Sequence, residues 1–221
     1  PRMPLEPPHP IIYPITSGKT TAQTTPDDEQ FLSILRLVEA AVATGVSLFQ
    51  IREKALHARV LYELTSRAAD ITRNSATRLL VNDRSDIARA AGADGVHLTT
   101  QSLPVDVVRK TFGAEFLIGV STHSRAEVLA ARVAGADFVV FGPVFETESK
   151  RVFGEPQGLN ALQEIARELQ EFPVLAIGGI ALDNVAACFR AGASGIAAIR
   201  LLNDTERMSS IVETIRSEFI R

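Results

Sequence analysis

One short pattern recurs along the chain and constrains the fold more than any other feature. A glycine stands two residues before Ser or Asp, between a helical segment and an apolar run, at Gly45-Val46-Ser47, Gly92-Ala93-Asp94, Gly135-Ala136-Asp137 and Gly192-Ala193-Ser194. Glycine suits a helix C-terminus, where the chain turns through positive φ, and Asp or Ser suits the turn into a strand. Counted from glycine to glycine, the copies are 47, 43 and 57 residues apart, which accommodates two βα units each time.

Eight apolar strand candidates alternate with helical patterns. Most of them are apolar throughout and lack a polar–apolar period of two, which is typical of parallel strands buried on both faces. The candidates are Ile11–Ile15, Leu48–Ile51, Leu79–Val81, Gly95–Leu98, Leu117–Val120, Phe138–Phe141, Val174–Ile177 and Gly195–Ile199. Helical periodicity is clearest at Phe31–Val42, Val60–Thr72, Ala126–Val133, Asn160–Leu169, Asn184–Phe189 and Met208–Ile220. This order predicts the α/β class and a single (β/α)8 TIM barrel over residues 11–221, after a disordered Pro-rich tail at 1–10. A doubly wound sheet is the alternative, although no Gly-x-Gly-x-x-Gly follows the first strand.

Composition excludes several classes of function. The net charge is −3 with no basic block, which argues against nucleic-acid binding, and a single cysteine, Cys188, can form no intramolecular disulfide. No apolar run is long enough to span a bilayer, and the start of the chain lacks an apolar signal core. We therefore expect a cytoplasmic protein with a small-molecule partner and no membrane or nucleic-acid partner, and we leave a homodimer open.

The active site of such a barrel lies at the C-terminal ends of the strands, where this chain is rich in polar residues. Those residues are Thr16, Gln50, Arg52, Lys54, Asn82, Asp83, Arg84, His97, Thr99, Thr100, Ser102, Ser121, Thr122, His123, Thr147, Ser149, Lys150 and Arg200. Gly178 and Gly179 follow the seventh strand, where backbone N–H groups often bind phosphate, and Arg200 could clamp the same anion. The alternative is a tight turn with a solvated arginine.

The alternation in Gln50-Ile51-Arg52-Glu53-Lys54 places Gln50, Arg52 and Lys54 on one side of an extended segment. Two cations and an amide suit an anionic substrate such as a diphosphate, whereas a salt-bridged rim is the alternative. Asp83 could supply a metal ligand, or it could cap the following helix.

His123 is the best acid/base candidate, because imidazole titrates near neutrality and this histidine follows the fifth strand. Capping of the next helix, or hydrogen-bonding within the loop, is the alternative. We expect His97 to be buried and hydrogen-bonded, His57 and His9 to lie on the surface, and Cys188 to lie in the core. No catalytic triad or metal-spaced His/Cys cluster is present.

From about Ile11 to the end of the barrel, these motifs resemble the thiamine phosphate synthases and their relatives, the TenI-like thiazole tautomerases. The matching segments are Gln50–Lys54, Val81–Arg84, Gly92–Leu98, Gly119–Ser124, Phe141–Phe145, Ala176–Ile180 and Ala191–Gly195. For a synthase, which joins hydroxymethylpyrimidine diphosphate to a thiazole phosphate with Mg²⁺, the resemblance implies that Asp83 binds the metal. It places the pyrimidine diphosphate against Gln50, Arg52, Lys54 and Asn82, and the diphosphate against Thr147, Ser149 and Lys150. Ser121, Gly178, Gly179, Ile199 and Arg200 complete the implied substrate- and phosphate-binding set.

Three positions depart from the synthase pattern. Ser102 stands where synthases carry a second metal-binding Asp, Thr100 stands in the place of a Gln, and Arg200 stands in the place of a small Ser. Phe145-Glu146-Thr147 is similar to the tautomerase branch, whose proton shift needs an acid/base group, here His123, and no cofactor. We therefore expect a thiazole tautomerase first, a Mg²⁺-dependent synthase second, and a non-catalytic phosphate-binding barrel third.

Overall fold

The computed structural model describes residues 10–147 and 155–219, and its centre is one sheet of eight parallel strands in the order β1-β8-β7-β6-β5-β4-β3-β2. A parallel bridge between Ile15 and Gln50 joins the two outer strands and closes the ring. The strands are β1 (Ile11–Pro14), β2 (Leu48–Ile51), β3 (Arg78–Asn82), β4 (Gly95–Leu98), β5 (Leu117–Thr122), β6 (Phe138–Phe141), β7 (Val174–Ala176) and β8 (Gly195–Ala198). The predicted (β/α)8 barrel is therefore confirmed, and the doubly wound alternative is wrong.

A helix follows each strand. The helices are α1 (Glu29–Thr44), α2 (Ala58–Thr72), α3 (Ser85–Ala90), α4 (Val105–Phe112), α5 (Arg125–Val133), α6 (Gly158–Glu168), α7 (Val185–Arg190) and α8 (Met208–Phe219), with a short 3₁₀ helix at Arg200–Leu202. In α1 the buried residues Phe31, Ile34, Leu37, Val38 and Ala41 recur at helical spacing, which turns one apolar face to the sheet.

Element ends differ from the predictions by one or two residues in most cases. The largest strand difference is β5, which continues through Ser121 and Thr122, because its pairing with β6 extends to Thr122 opposite Phe141. Residues 1–9 lie outside the described residues, and Pro10, predicted as part of the tail, is buried.

The recurring Gly-x-Ser/Asp pattern has a structural cause beyond the turn itself. All four of its glycines have positive φ, as predicted. In addition, Asp94 accepts a 2.8 Å hydrogen bond from the backbone N–H of Leu79, and Asp137 accepts a 2.7 Å hydrogen bond from that of Ile118. Each carboxylate thus ties the start of its own strand to the preceding strand. These contacts lie at the N-terminal end of the barrel, opposite the expected site, and serve stability.

The apolar core has two parts, one between sheet and helices and one inside the barrel. Cys188 belongs to the outer part and His57 is exposed, as predicted. Among the described residues, no helix is long and apolar enough to cross a membrane.

Candidate active site

The floor of the candidate site is the apolar interior of the barrel. Strand residues that alternate inward form it, and they are Ile11, Tyr13, Ile15, Leu48, Leu80, Leu117, Phe138, Val140, Leu175 and Ala197. Nearer the C-terminal ends, inward positions are polar in four neighbouring strands, with Gln50 in β2, Asn82 in β3, His97 in β4 and Ser121 in β5. The barrel therefore changes from apolar to polar at the end where the site was predicted.

Gln50 is the most unusual of these side chains. It is 1% exposed, and its Nε2 donates to Asn82 Oδ1 at 3.3 Å. Its Oε1 is the single buried side-chain N or O atom within residues 10–147 and 155–219 that has no hydrogen-bond partner. An unpaired buried carbonyl oxygen costs about 1–3 kcal/mol, so its presence here points to a ligand that donates a hydrogen bond.

Arg52 is half-buried beyond the end of β2, and its charge acts on His97 inside the barrel. No ion pair within the described part of the chain involves Arg52 or Lys54, so the alternative of a salt-bridged rim is not supported. The predicted extended run through Lys54 is wrong, however. Strand β2 ends at Ile51, and Lys54 lies exposed in a turn.

Glu53 explains why the strand ends there. Its carboxylate is 3% exposed and accepts hydrogen bonds from the N–H groups of Gly18 (3.0 Å) and Thr20 (3.1 Å) and from the Thr20 hydroxyl (2.6 Å). The β1–α1 loop is thereby attached to the segment that carries Arg52. Glu53 was not among the residues predicted for the site, although a carboxylate between two cationic positions was a signal for it.

A chain of hydrogen bonds crosses the interior below the mouth of the barrel. The Tyr13 hydroxyl lies 3.2 Å from His97 Nδ1, and His97 Nε2 lies 2.9 Å from Ser121 Oγ. Burial, and secondarily the charge of Arg52, lower the pKa of His97 to about 3. His97 is therefore a neutral, hydrogen-bonded strand residue, as predicted. Its partner Tyr13, in β1, was not predicted as part of the site.

Asp83 follows β3 with an exposed side chain and a φ of +65°. Backbone in this left-handed region is strained for a residue with a Cβ, and such strain is concentrated at functional sites. The capping alternative fails, because the N-cap of α3 is Arg84 and no side chain makes a cap hydrogen bond there. Ser102 Oγ accepts from the N–H of Thr99 at 2.7 Å, within the β4–α4 loop.

His123 lies just beyond β5, as predicted. Its Nδ1 is 2.5 Å from the carbonyl oxygen of Gly142, and its backbone N–H donates to Glu127 at 2.6 Å. Because a carbonyl oxygen only accepts, Nδ1 carries the proton, which leaves Nε2 as the atom that can exchange one. Of the alternative interpretation, the capping part is wrong, since Ser124 caps α5 by accepting from the N–H of Glu127. The hydrogen-bonding part agrees with the bonds of His123 to Gly142 and Glu127.

Gly178 and Gly179 pack against the β6–α6 loop, and both have positive φ. The N–H of Phe145 donates to the carbonyl of Gly178 at 3.0 Å. A Cβ on Gly179 would lie 2.6 Å from the carbonyl oxygen of Glu146, so only glycine fits. The alternative interpretation, in which the two glycines only form a tight turn, does not account for this close packing.

The remaining predicted residues are spread around the same end of the barrel. Ile199 packs against the interior cluster, Arg200 begins the 3₁₀ helix with an exposed side chain, and Thr147 is half-buried. Ser149 and Lys150 lie outside the described residues.

Comparison with known proteins gives one consistent family. The model of the thiamine monophosphate synthase family (TMP-TENI) matches residues 13–202. A thiamine-phosphate synthase from Anaeromyxobacter dehalogenans is 46% identical over 72% of this chain and 71% of its own length. One from Moorella thermoacetica is 39% identical over 85% of this chain and 89% of its own length. The solved thiamine phosphate pyrophosphorylase from Pyrococcus furiosus is 30% identical, covers 95% of both chains and has a TM-score of 0.78. With the polar barrel mouth described above, these similarities show that the chain belongs to the thiamine monophosphate synthase family.

Proposed function

We propose that this enzyme of thiamine biosynthesis is a thiamine-phosphate synthase, the second of the activities expected from the sequence. In this reaction the ring nitrogen of a thiazole phosphate forms a bond to the methylene carbon of an aminopyrimidine diphosphate. The bond from that carbon to the diphosphate oxygen breaks, and diphosphate leaves with the electron pair. Relatives named as thiamine-phosphate synthases support this activity over the tautomerase.

The observation that carries the proposal is that Oε1 of Gln50 has no hydrogen-bond partner among the residues that the structure describes. An aminopyrimidine has an exocyclic N–H that can donate to this oxygen. The thiazole carboxylate phosphate of the tautomerase has a carboxylate and a phosphate, which only accept. A buried acceptor without a partner therefore favours the synthase substrate, since leaving it unpaired would cost about 1–3 kcal/mol.

The charge around Gln50 fits the other half of that substrate. Arg52 has no acidic partner in the described chain, and its planar guanidinium suits two oxygens of a diphosphate. Lys54 lies exposed in the turn, two residues further along the chain. We assign these two cations to the diphosphate. We assign the phosphate group of the thiazole to a second set of residues, which is Gly178, Gly179, Ile199 and Arg200.

The residues present fit Mg²⁺ when it arrives with the substrate. Mg²⁺ keeps several waters and is commonly bound through one or two carboxylates plus substrate phosphates. Asp83 offers one exposed carboxylate, and no group of three or more His, Cys, Asp or Glu that could hold a metal occurs in the described chain. When bound, the ion supplies positive charge for the leaving diphosphate. Arg52 and Lys54 add to the same electrostatic stabilisation, and Gln50 and Asn82 orient the pyrimidine.

A tautomerase remains the second candidate because of one observation. The hydrogen bond from Nδ1 of His123 to Gly142 leaves Nε2 free to carry a proton at a fixed position. A tautomerase needs such a group, whereas the synthase reaction transfers no proton at the ring carbon and does not require it.

Paired assays with and without Mg²⁺ test the proposal. Diphosphate release from the aminopyrimidine diphosphate and the thiazole phosphate, dependent on Mg²⁺, is the expected result. Metal-independent turnover of thiazole carboxylate phosphate without diphosphate release would instead identify a tautomerase, and tight binding without turnover would identify a non-catalytic barrel.

The variant Gln50→Met tests the carrying observation directly. It keeps the approximate shape of the side chain and removes the unpaired oxygen, together with the Nε2 that donates to Asn82. We expect weaker binding of the aminopyrimidine diphosphate by about tenfold or more and unchanged affinity for thiazole phosphate. Gln30→Met, at an exposed position of α1, is the matched control and should change neither affinity. Equal affinities in all three proteins would contradict the assignment.

A further inference from the structure

The buried hydrogen-bond chain Tyr13–His97–Ser121 lies beneath the candidate site, and its direction can be deduced. The Tyr13 and His97 rings have centroids 5.7 Å apart, and both also pack on Phe138, at 5.6 Å and 6.1 Å. Tyr13 is 0% exposed and His97 is 3% exposed. The packing holds both rings, so the only freedom left is where the hydrogens lie.

Two arrangements of the hydrogens satisfy the observed distances. Both residues are buried, and each ring nitrogen of His97 has one neutral partner, Tyr13 at Nδ1 and Ser121 at Nε2. A buried charge without an ionic partner is costly, so the imidazole has one N–H and the phenol keeps its proton. In the first arrangement Tyr13 donates to Nδ1 and the Nε2–H of His97 donates to Ser121 Oγ. In the second, Ser121 donates to Nε2 and the Nδ1–H of His97 donates to the Tyr13 oxygen.

The second arrangement leaves a buried donor without an acceptor. The Tyr13 hydroxyl has His97 Nδ1 as its hydrogen-bond partner within the described residues, so its own hydrogen would then point at nothing. A buried unpaired donor costs about 1–3 kcal/mol, which corresponds to about 5- to 150-fold in population. The first arrangement leaves unused only the hydrogen of Ser121, which is half-buried and faces the barrel mouth.

We propose that Tyr13 and His97 are positioning residues that make Ser121 a hydrogen-bond donor toward the substrate. Because Nε2–H already donates to the serine oxygen, the O–H of Ser121 is turned toward an acceptor atom of the bound molecule. That acceptor is an oxygen of the diphosphate or a ring nitrogen of the pyrimidine. The contact with substrate rests on the proposed function, whereas the direction of the hydrogen-bond chain does not.

The first experiment reads the tautomer of His97 without any activity. In protein labelled with ¹⁵N in histidine, the resonances of His97 are assigned by their loss in His97→Gln. At pH 7 we expect the neutral form with hydrogen on Nε2. Tyr13→Phe, which keeps the ring, should change the His97 resonances, whereas Tyr62→Phe at the only other tyrosine, which is exposed, should not. A hydrogen on Nδ1 in the unmodified protein would overturn the proposal.

The second experiment is a double-mutant cycle on Tyr13→Phe and Ser121→Ala. Affinity is measured by calorimetry for inorganic diphosphate with Mg²⁺ and for the hydroxymethyl aminopyrimidine without diphosphate. In the wild-type background, Tyr13→Phe should lower the affinity for one of these ligands by about 3- to 10-fold, because one hydrogen bond contributes about 1 kcal/mol. In the Ser121→Ala background, the same change should lower that affinity by less than about twofold. The ligand that weakens identifies the acceptor.

A purely structural role for Tyr13 would give a different pattern. The same loss would then occur in both backgrounds, or no loss in either, and each of these results would overturn the proposal. Because the ligands bind without turnover, the cycle can be read even if the synthase assay fails, and the two failures are therefore distinguishable.

Discussion

The Glu53 carboxylate and the Thr20 hydroxyl are joined by a 2.6 Å hydrogen bond that attaches the β1–α1 loop to the segment after β2. The two residues are 33 positions apart, and both are buried. The loop also contacts Arg52, whose backbone N–H donates to the Thr16 hydroxyl at 2.8 Å. The orientation of Arg52 therefore depends on an attachment made by its sequence neighbour.

Weakening this attachment should impair substrate binding before it impairs folding. In Thr20→Val the hydroxyl bond to Glu53 is lost, whereas the bonds from the N–H groups of Gly18 and Thr20 remain. We expect KM for the aminopyrimidine diphosphate to rise 3- to 10-fold, which corresponds to the loss of about one hydrogen bond. KM for the thiazole phosphate should change little. Thr25→Val, at an exposed position of the same loop, is the control. Equal rises for both substrates would argue against a specific effect on Arg52.

Gly179 should tolerate no side chain, because its φ is positive and because its neighbours are too close. Gly92 has the positive φ without close neighbours, so a comparison of the two separates these causes. Both have positive φ, but a Cβ on Gly92 meets nothing within 4 Å, whereas one on Gly179 meets Glu146 and Phe145 below 3.0 Å. Gly92→Ala should therefore cost only the backbone strain, about 1–2 kcal/mol in the free energy of unfolding. Gly179→Ala should cost at least about 1 kcal/mol more and should also weaken thiazole phosphate binding. Denaturant unfolding and calorimetry measure the two effects, and equal stability losses would contradict the packing.

The order of elements and the end of the barrel that carries the site could be predicted because both depend on local patterns. Runs of apolar residues mark the strands, and the positive-φ glycines mark the helix ends. The positions of Gln50, Asn82 and His97 then follow from the period of two along each strand.

Contacts between distant segments could not be predicted in this way. Glu53 reaches Gly18 across 35 positions and Tyr13 reaches His97 across 84, and no local pattern indicates which polar groups will meet. The end of β2 at Ile51 was predicted correctly, but the turn at Lys54 was not, since the bonds to Glu53 come from the β1–α1 loop. Likewise, no local pattern indicates that Oε1 of Gln50 lacks a hydrogen-bond partner within residues 10–147 and 155–219.

The position of Ser102 predicts how metal affinity can be raised. Its Oγ accepts from the N–H of Thr99, and an aspartate could accept the same bond, so Ser102→Asp should fold. If Ser102 and Asp83 face one ion, the second carboxylate should tighten Mg²⁺ binding by at least about 1 kcal/mol, or about fivefold in Kd. Gln101→Asp adds the same charge at the exposed neighbouring position and should have a smaller effect. Calorimetry with Mg²⁺ alone provides the measurement, and equal gains in both variants would place Ser102 away from the ion.

Cys188 gives a probe of global unfolding and of alkaline stability. Burial raises the pKa of its thiol to about 12, so at pH 8 about one molecule in 10⁴ carries the reactive thiolate, and a thiol reagent should react only after unfolding.

The same shift makes stability depend on pH. The pKa of Cys188 is higher in the folded than in the unfolded protein, so the stabilisation from burying the neutral thiol is complete below about pH 9 and is lost as pH rises toward 12. Relative to Cys188→Ala, the free energy of unfolding should fall by up to about 1.4 kcal/mol per pH unit in that range. Rapid labelling of the native protein at pH 8 would show that the thiol is accessible.

His123→Ala should separate the two activities of the family in one protein. The synthase reaction moves no proton at the ring carbon and depends on the electrostatics of the leaving diphosphate, so we expect synthase turnover to fall by less than tenfold. Any tautomerase turnover should fall by about 10²- to 10⁴-fold, the range for a positioned acid/base group. The fold should survive, because His123 lies beyond β5 and Ser124 still caps α5. His57→Ala, at an exposed histidine, is the matched control for both assays. A loss of synthase turnover as large as 10²-fold, with substrate affinity intact, would place Nε2 of His123 in the synthase reaction itself.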